Sequence, residues 1–367
     1  MDGGGLYRVV EEYEALGIHR AGTTVDRATF DWYESHLQRL GLRTERVDVP
    51  FGRYDFDSEL TADHEPVKHL PLFYEWTGSV DTTDVHLAEV DPVAGRFYSS
   101  HYEATEFLAQ SGAAAAVLAT THPGGSLVAS NRTIVDRGGL PTVLVAGRDH
   151  ARLTAAHEVR LRMNAHIVEA TTENLIARND VPGTPLLLTT PLSGWFRCSG
   201  ERGTGAAVLL DLIERFSAHP LLVVATGGHE LDYVGVRAWV ADGPEPVAAI
   251  AHIGASVGCD EPTTDGDRRL IAQRIARTDA EGPTADTMGA ALATANYRFI
   301  AGADDWSGES EVLCELGVPM LSVTGAGVEF HTPEDTTGQV TSPTSLALAS
   351  RAIGDALDSL ISSPPTG

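Results

Sequence analysis

The stretch PLLVVATGGHELDYVG, residues 220–235, decides the fold. Leu221–Ala225 is an apolar run without polar alternation, so it reads as a strand covered on both faces. Two glycines end it, and His229 and Glu230 follow. A strand buried on both faces belongs to a sheet packed between helices, and such sheets collect ligands beyond the carboxyl ends of their strands. The His229–Glu230 pair therefore stands where an active site would be built. The stretch alone fits a polar cap on the sheet as well.

Working outward from about residue 172, PLLLTT (185–190), VAAIAHIG (247–254) and PMLSVTG (319–325) read as strands of the same kind. They alternate with helical segments such as TGAAVLLDLIERF (204–216) and SLALASRAIGDALDSLI (345–361). This pattern predicts a doubly wound α/β sheet. The first segment predicts two amphipathic helices, LYRVVEEYEALG (6–17) and DRATFDWYESHLQRLG (26–41), the second with Asp26 as its N-cap. Between residues 56 and 171 the texture changes to short strands and turns, including AAAAVLATT (113–121) and GGLPTVLVAG (138–147), with a helix over YEATEFLAQSG (102–112). That middle stretch reads as a separate, mainly β unit, leaving 1–55 and 172–367 as a discontinuous α/β domain.

The 51 acidic residues against 26 basic ones give a net charge of −25, which argues against nucleic acid or an anionic membrane surface as partner. Three scattered cysteines exclude a disulfide framework and a zinc finger. No apolar stretch reaches the ~20 residues of a membrane helix. The N-terminus has no basic region followed by an apolar core, so the expected location is cytoplasmic.

The strand-end tails gather Glu201, His229, Glu230, His252 and His331, oxygen and imidazole donors suited to a divalent transition metal. Each has a bland reading too. Glu201 fits a salt bridge to Arg202 or Arg197, Glu230 a helix cap, His252 a core histidine, and His331 a spacer before Thr332. Their sharing one sheet edge favours function over any of these taken singly.

Taken together, the elements resemble the co-catalytic zinc aminopeptidase family that also holds glutamate carboxypeptidases and glutaminyl cyclases. GIHRAGTTVDRATFDWYESHLQRLG (17–41) resembles its opening helices, GERGTGAAVLLDLIERF (200–216) the segment with its metal-bridging acid, TGGHELDYVG (226–235) its paired acids, and FHTPEDT (330–336) its last histidine ligand. Residues 56–171 resemble the protease-associated domain often inserted there. The resemblance implies the zinc-aminopeptidase type of mixed sheet.

Carried over position by position, the resemblance implies an altered site. The first ligand histidine falls on Thr190, with Leu192 for the aspartate two residues on. The bridging aspartate falls on Glu201, the general-base glutamate on His229, the ligand beside it on Glu230, a third-strand aspartate on Gly254, and the last histidine on His331. The implied ligand set is one zinc on Glu201, Glu230 and His331, with His252 as a further donor. The implied enzyme is a hydrolase or cyclase for small amino-acyl or peptide-like substrates, with His229 as proton shuttle. Trp195, Glu309 and Thr190 are candidate substrate contacts, and Trp195 and Glu309 fit a purely structural role equally well. The alternatives are a metal-free acid–base enzyme (cyclase, lyase or isomerase) and a non-catalytic pseudo-peptidase.

Overall fold

The computed structural model describes residues 1–91, 110, 112–263, 267–271 and 273–362. The helix expected over 102–112 falls almost wholly outside them. Helix α1 (Gly3–Leu16) begins at Asp2, whose carboxylate accepts from Gly5 N. Helix α2 (Thr24–Arg39) begins two residues earlier than expected, with Thr23 rather than Asp26 as N-cap. The reason is a reciprocal box: Thr23 Oγ1 accepts from Asp26 N at 3.2 Å, and the Asp26 carboxylate reaches back to Gly22 N at 2.8 Å.

Strand β1 (Arg43–Ala62) leads out to a four-stranded sheet of His69–Pro71, β2 (Val85–Val90), β3 (Ala115–Thr120) and β4 (Thr142–Ala146); strand β5 (Val159–Arg178) leads back. β1 and β5 pair antiparallel along their full 20 residues, from Arg43↔Arg178 to Ala62↔Val159. The boundaries expected near residues 55 and 171 thus fall inside one continuous ribbon. Tyr54 and Met163 of the ribbon, with Phe73, Val117 and Leu144 of the segment it carries, share a core with Trp195, Phe196 and Leu231 at the strand ends.

The further strands of the large sheet are β6 (Leu186–Pro191), β7 (Leu221–Thr226), β8 (Ala249–Ile253), β9 (Arg274–Thr278), β10 (Arg298–Ile300) and β11 (Met320–Gly325), while Asp260–Pro262 and Arg268–Leu270 pair as a separate two-stranded sheet. The large sheet has ten strands and runs β10–β9–β11–β8–β6–β7–β5–β1, continued by Glu65–Pro66, with Gly78–Thr82 also paired to β5. Its middle members β11, β8, β6 and β7 are mutually parallel, so their carboxyl ends open on one edge. The unalternating run 221–225 is explained by its two neighbours. Leu221, Val223 and Ala225 pack in the core with α1, α3 (Thr204–Arg215) and α5 (Pro343–Ile361), and Leu222 and Val224 pack with Val236 and Trp239 of α4 (Val234–Ala241). Fully burying each such side chain contributes about 1.5–3 kcal/mol.

Asp26 carries a pH prediction. It is 2 % exposed, its Oδ2 accepts from Gly22 N and Thr172 Oγ1, and its Oδ1 is buried without a hydrogen bond. Burial pushes its pKa up to about 7 against those two bonds. The folded chain therefore keeps a proton that the unfolded chain releases from about pH 4 upward, so this group lowers stability progressively between about pH 4 and 7. Asp26→Asn keeps the acceptor and removes the charge. Its stability should match wild type near pH 4 and pull ahead by up to about 1.4 kcal/mol per pH unit toward pH 7. Denaturant midpoints across that range are the check, and parallel curves would refute it.

Candidate functional site

Each strand end delivers its side chain through a local device. After β7, Gly228 adopts φ +69°, open to glycine at little cost, and a Cβ on Gly227 would lie 2.2 Å from Thr172 Oγ1. The turn is stapled by Ser193, at the end of β6. Ser193 Oγ accepts from Gly228 N at 2.7 Å and donates to Glu230 Oε2 at 2.8 Å. Ala21 N donates to Glu230 Oε1 at 3.3 Å. Both oxygens of Glu230 are thus engaged.

Glu201 sits on a π-helical turn, Ser199–Gly203, that follows Cys198 in a left-handed conformation. Asp335 holds this turn from outside, accepting from Gly200 N at 2.6 Å and Glu201 N at 3.0 Å. The Glu201 carboxylate meets two partners: Arg202 Nη2 is 2.7 Å from Oε1, and His331 Nε2 is 3.2 Å from the same oxygen. Burial works against this charge, but the Arg202 guanidinium and His331 outweigh it and hold Glu201 well below the usual carboxylate range. His331, at φ +61°, is fixed from the middle segment. Its carbonyl accepts from Ala129 N at 2.9 Å, and its Nδ1 lies 3.1 Å from Ala129 O. Arg132 N donates to Glu230 O at 2.8 Å, so the segment 129–132 bridges the β7 and β11 tails.

His229 faces a cavity of about 850 Å³ and backs onto Glu309. Its Nδ1 is 3.3 Å from Glu309 Oε1, and the Glu309 carboxylate accepts from Thr226 Oγ1 at 2.7 Å. Burial and the Arg202 charge, opposed by Glu201, put the His229 pKa well below its ordinary value, so the ring is neutral. The pair is held by proximity, since His229 Nδ1 makes no aligned hydrogen bond to Glu309. Burial raises the Glu309 carboxyl, with His252 and Thr226 working against it. His252 lies in the same cavity wall with Nδ1 buried and unbonded, and burial lowers its pKa to about 4. Tyr233, Trp306 and Phe330 add aromatic wall, and Arg298, Asp232 and Glu311 place both signs of charge around it.

The structure thus brings Glu201, His331, His229 and His252 to one sheet edge, with Glu230 beneath. Three expected substrate contacts lie elsewhere. Thr190 is 1 % exposed and donates to Ile253 O at 2.7 Å, tying β6 to β8. Trp195 stacks on Phe73 at 4.6 Å and donates to Asn131 Oδ1, which locks the middle segment down. Glu309, fully buried, stands behind His229 rather than in the cavity wall. Sequence reading did not assign roles to Ser193, Asp335 or the segment 129–132, and Arg202 entered only as a salt-bridge partner of Glu201.

The donor set does not suit the zinc that the resemblance implies. With Arg202 in place against Glu201, the ligand atoms of Glu201, Glu230 and His331 do not all lie within 4.8 Å of one another. Among the described residues the only group of three that does is Cys198, Glu201 and Asp335. That group is a poor cage: Asp335 is spent on two backbone N–H groups, and burial keeps Cys198 a thiol. Glu201 is already neutralised by a guanidinium, and a second cation there would face like charge in a buried site. The residues present do not fit a zinc bridged by Glu201.

No protein-family model and no curated protein sequence matches the chain. Solved structures do. The chain is similar to a peptidase M28 precursor from Shewanella amazonensis, at 16 % identity and TM-score 0.77, covering 99 % of this chain and 94 % of that one. It is similar to a zinc aminopeptidase from Bacillus subtilis, at 13 % identity and TM-score 0.72, covering 97 % and 94 %. It is also similar to a glutaminyl cyclase from Porphyromonas gingivalis, at 12 % identity and TM-score 0.55, covering 98 % of each. The chain has the fold these peptidases and cyclases share.

Proposed function

We propose that the chain is an acid–base enzyme that opens or closes an amide-type bond in a small amino-acyl or peptide-like substrate, without a metal ion. The observation that carries this reading is the His229–Glu309 pair: a neutral ring facing a substrate-sized cavity, with a buried carboxylate 3.3 Å behind it. His229 Nε2 takes the proton of the attacking group, water for hydrolysis or a substrate amine for cyclisation. The same nitrogen returns it to the leaving group. Glu309, 3.3 Å from Nδ1, stabilises the imidazolium formed in between. The aromatic walls and mixed charges suit a zwitterionic molecule of about dipeptide size. Cys198 and Cys259, buried and free, suit the reducing cytoplasm that we propose as its location. No described helix is long and apolar enough to cross a membrane.

The test is a panel of aminoacyl anilides, dipeptides and N-terminal glutaminyl peptides, assayed with and without a strong chelator. Turnover that the chelator leaves unchanged is expected. Activity that the chelator abolishes and zinc restores would return the reading to a one-metal enzyme. Saturable binding without turnover of any compound would make the chain a binding protein.

A further inference from the structure

Charge placement in the strand-end cluster leads beyond the reaction. Glu201 and Glu230 are each 1 % exposed, a depth at which carboxylates demand a counter-charge. Arg202, its side chain fully buried, supplies one. Its Nη2 lies 2.7 Å from Glu201 Oε1, and its Nε donates to Ser193 O at 2.8 Å. The Ser193 hydroxyl in turn donates to Glu230 Oε2. One guanidinium is therefore tied directly to the first acid and through a single residue to the second. These are the two acids that resemblance would assign to one metal ion.

We infer that Arg202 is a resident cation, standing in the electrostatic place of a metal ion and keeping divalent ions out of the cluster. Its position is fixed by the backbone and by one side-chain bond. Its backbone N donates to Cys198 O within the π-helical turn, Asp335 pins that turn, a Cβ on Gly200 would lie 2.6 Å from Cys259 Sγ, and Nε donates to Ser193 O. The charge count agrees in sign: zinc beside Arg202 would set three positive charges against one carboxylate, or against two with Glu230, in a water-excluded site.

The inference stands apart from the proposed reaction, because its readout is zinc binding and not turnover. Chelator-stripped wild type, dialysed against zinc and then zinc-free buffer, should retain none above the buffer blank. Arg202→Met should bind close to one equivalent, at least about 100-fold tighter than wild type, and lose it when His331→Ala is added. Arg202→Lys, which keeps the charge, should stay metal-free. One equivalent of zinc on wild type, released by His331→Ala, overturns the inference. So does an Arg202→Met chain that folds and gains no affinity. If that chain folds only on zinc addition, the inference is supported; if neither it nor Arg202→Gln folds or binds zinc, the inference fails.

Discussion

Replacing Glu201 by Gln is expected to cost about 3–5 kcal/mol of unfolding free energy, a large share of a typical domain's stability. The amide is close to isosteric, so the loss does not come from packing. It comes from leaving the Arg202 charge fully buried with only Ser193 O as an acceptor of its Nε proton. Neither terminal nitrogen of Arg202 makes an aligned hydrogen bond, so the pair is held by charge and proximity to Glu201 Oε1. The pH dependence follows from Glu201 lying well below the usual carboxylate range in the folded state. A depressed folded pKa gives a contribution fully present above the unfolded value of about 4.3 and lost as pH falls through the folded value. The cost of Glu201→Gln should thus be constant from pH 5 upward and shrink only in strong acid. Removing both partners, as Glu201→Met with Arg202→Met, should recover much of the loss because no unpaired charge remains. Urea unfolding of the two single variants and the double variant measures the coupling. A single-variant loss under about 1 kcal/mol would place the pair among weak, solvated bridges and contradict its burial.

The fold was legible where burial writes itself into composition. The run 221–225 had to be apolar at every position because α1, α3 and α5 cover one face of β7 while α4 covers the other. The strand-end positions of Glu201, His229, His252 and His331 followed from the same logic. What their side chains meet did not. Glu201 had Arg202 beside it in sequence, and both a salt bridge and a metal ligand fit that neighbour. The π-helical turn decides, by folding Arg202 back onto the carboxylate. Glu309 read as a substrate contact, since nothing local says that it is fully buried behind His229. Ala129 and Arg132 lie far from the strand ends in sequence, and the ribbon of β1 and β5 alone carries them there. Pairwise tertiary contacts of this kind leave no periodicity to read.

That placement of Glu309 makes the kinetic prediction specific. His229→Ala should lower kcat by about 10²–10⁴-fold, the usual share of a positioned proton carrier. The variant should stay folded: the ring lies at the cavity wall, and the turn beneath it is held by Ser193 through backbone N–H groups. Wild-type kcat/KM should rise through an apparent pKa below 6.5 and be flat at neutrality, because burial and Arg202 keep the free ring unprotonated there. Glu309→Gln tests the carboxylate separately. If Glu309 stabilises the imidazolium formed during turnover, kcat falls while KM stays near wild type, since Glu309 is outside the cavity wall. If Glu309 only packs, Gln fills the same space and leaves both parameters and the pH profile unchanged. The double variant sharpens the distinction. Once His229 is Ala, Glu309→Gln should cost almost nothing further, because a group acting through the ring has no ring to act through. Additive losses would show that Glu309 serves the reaction by another route.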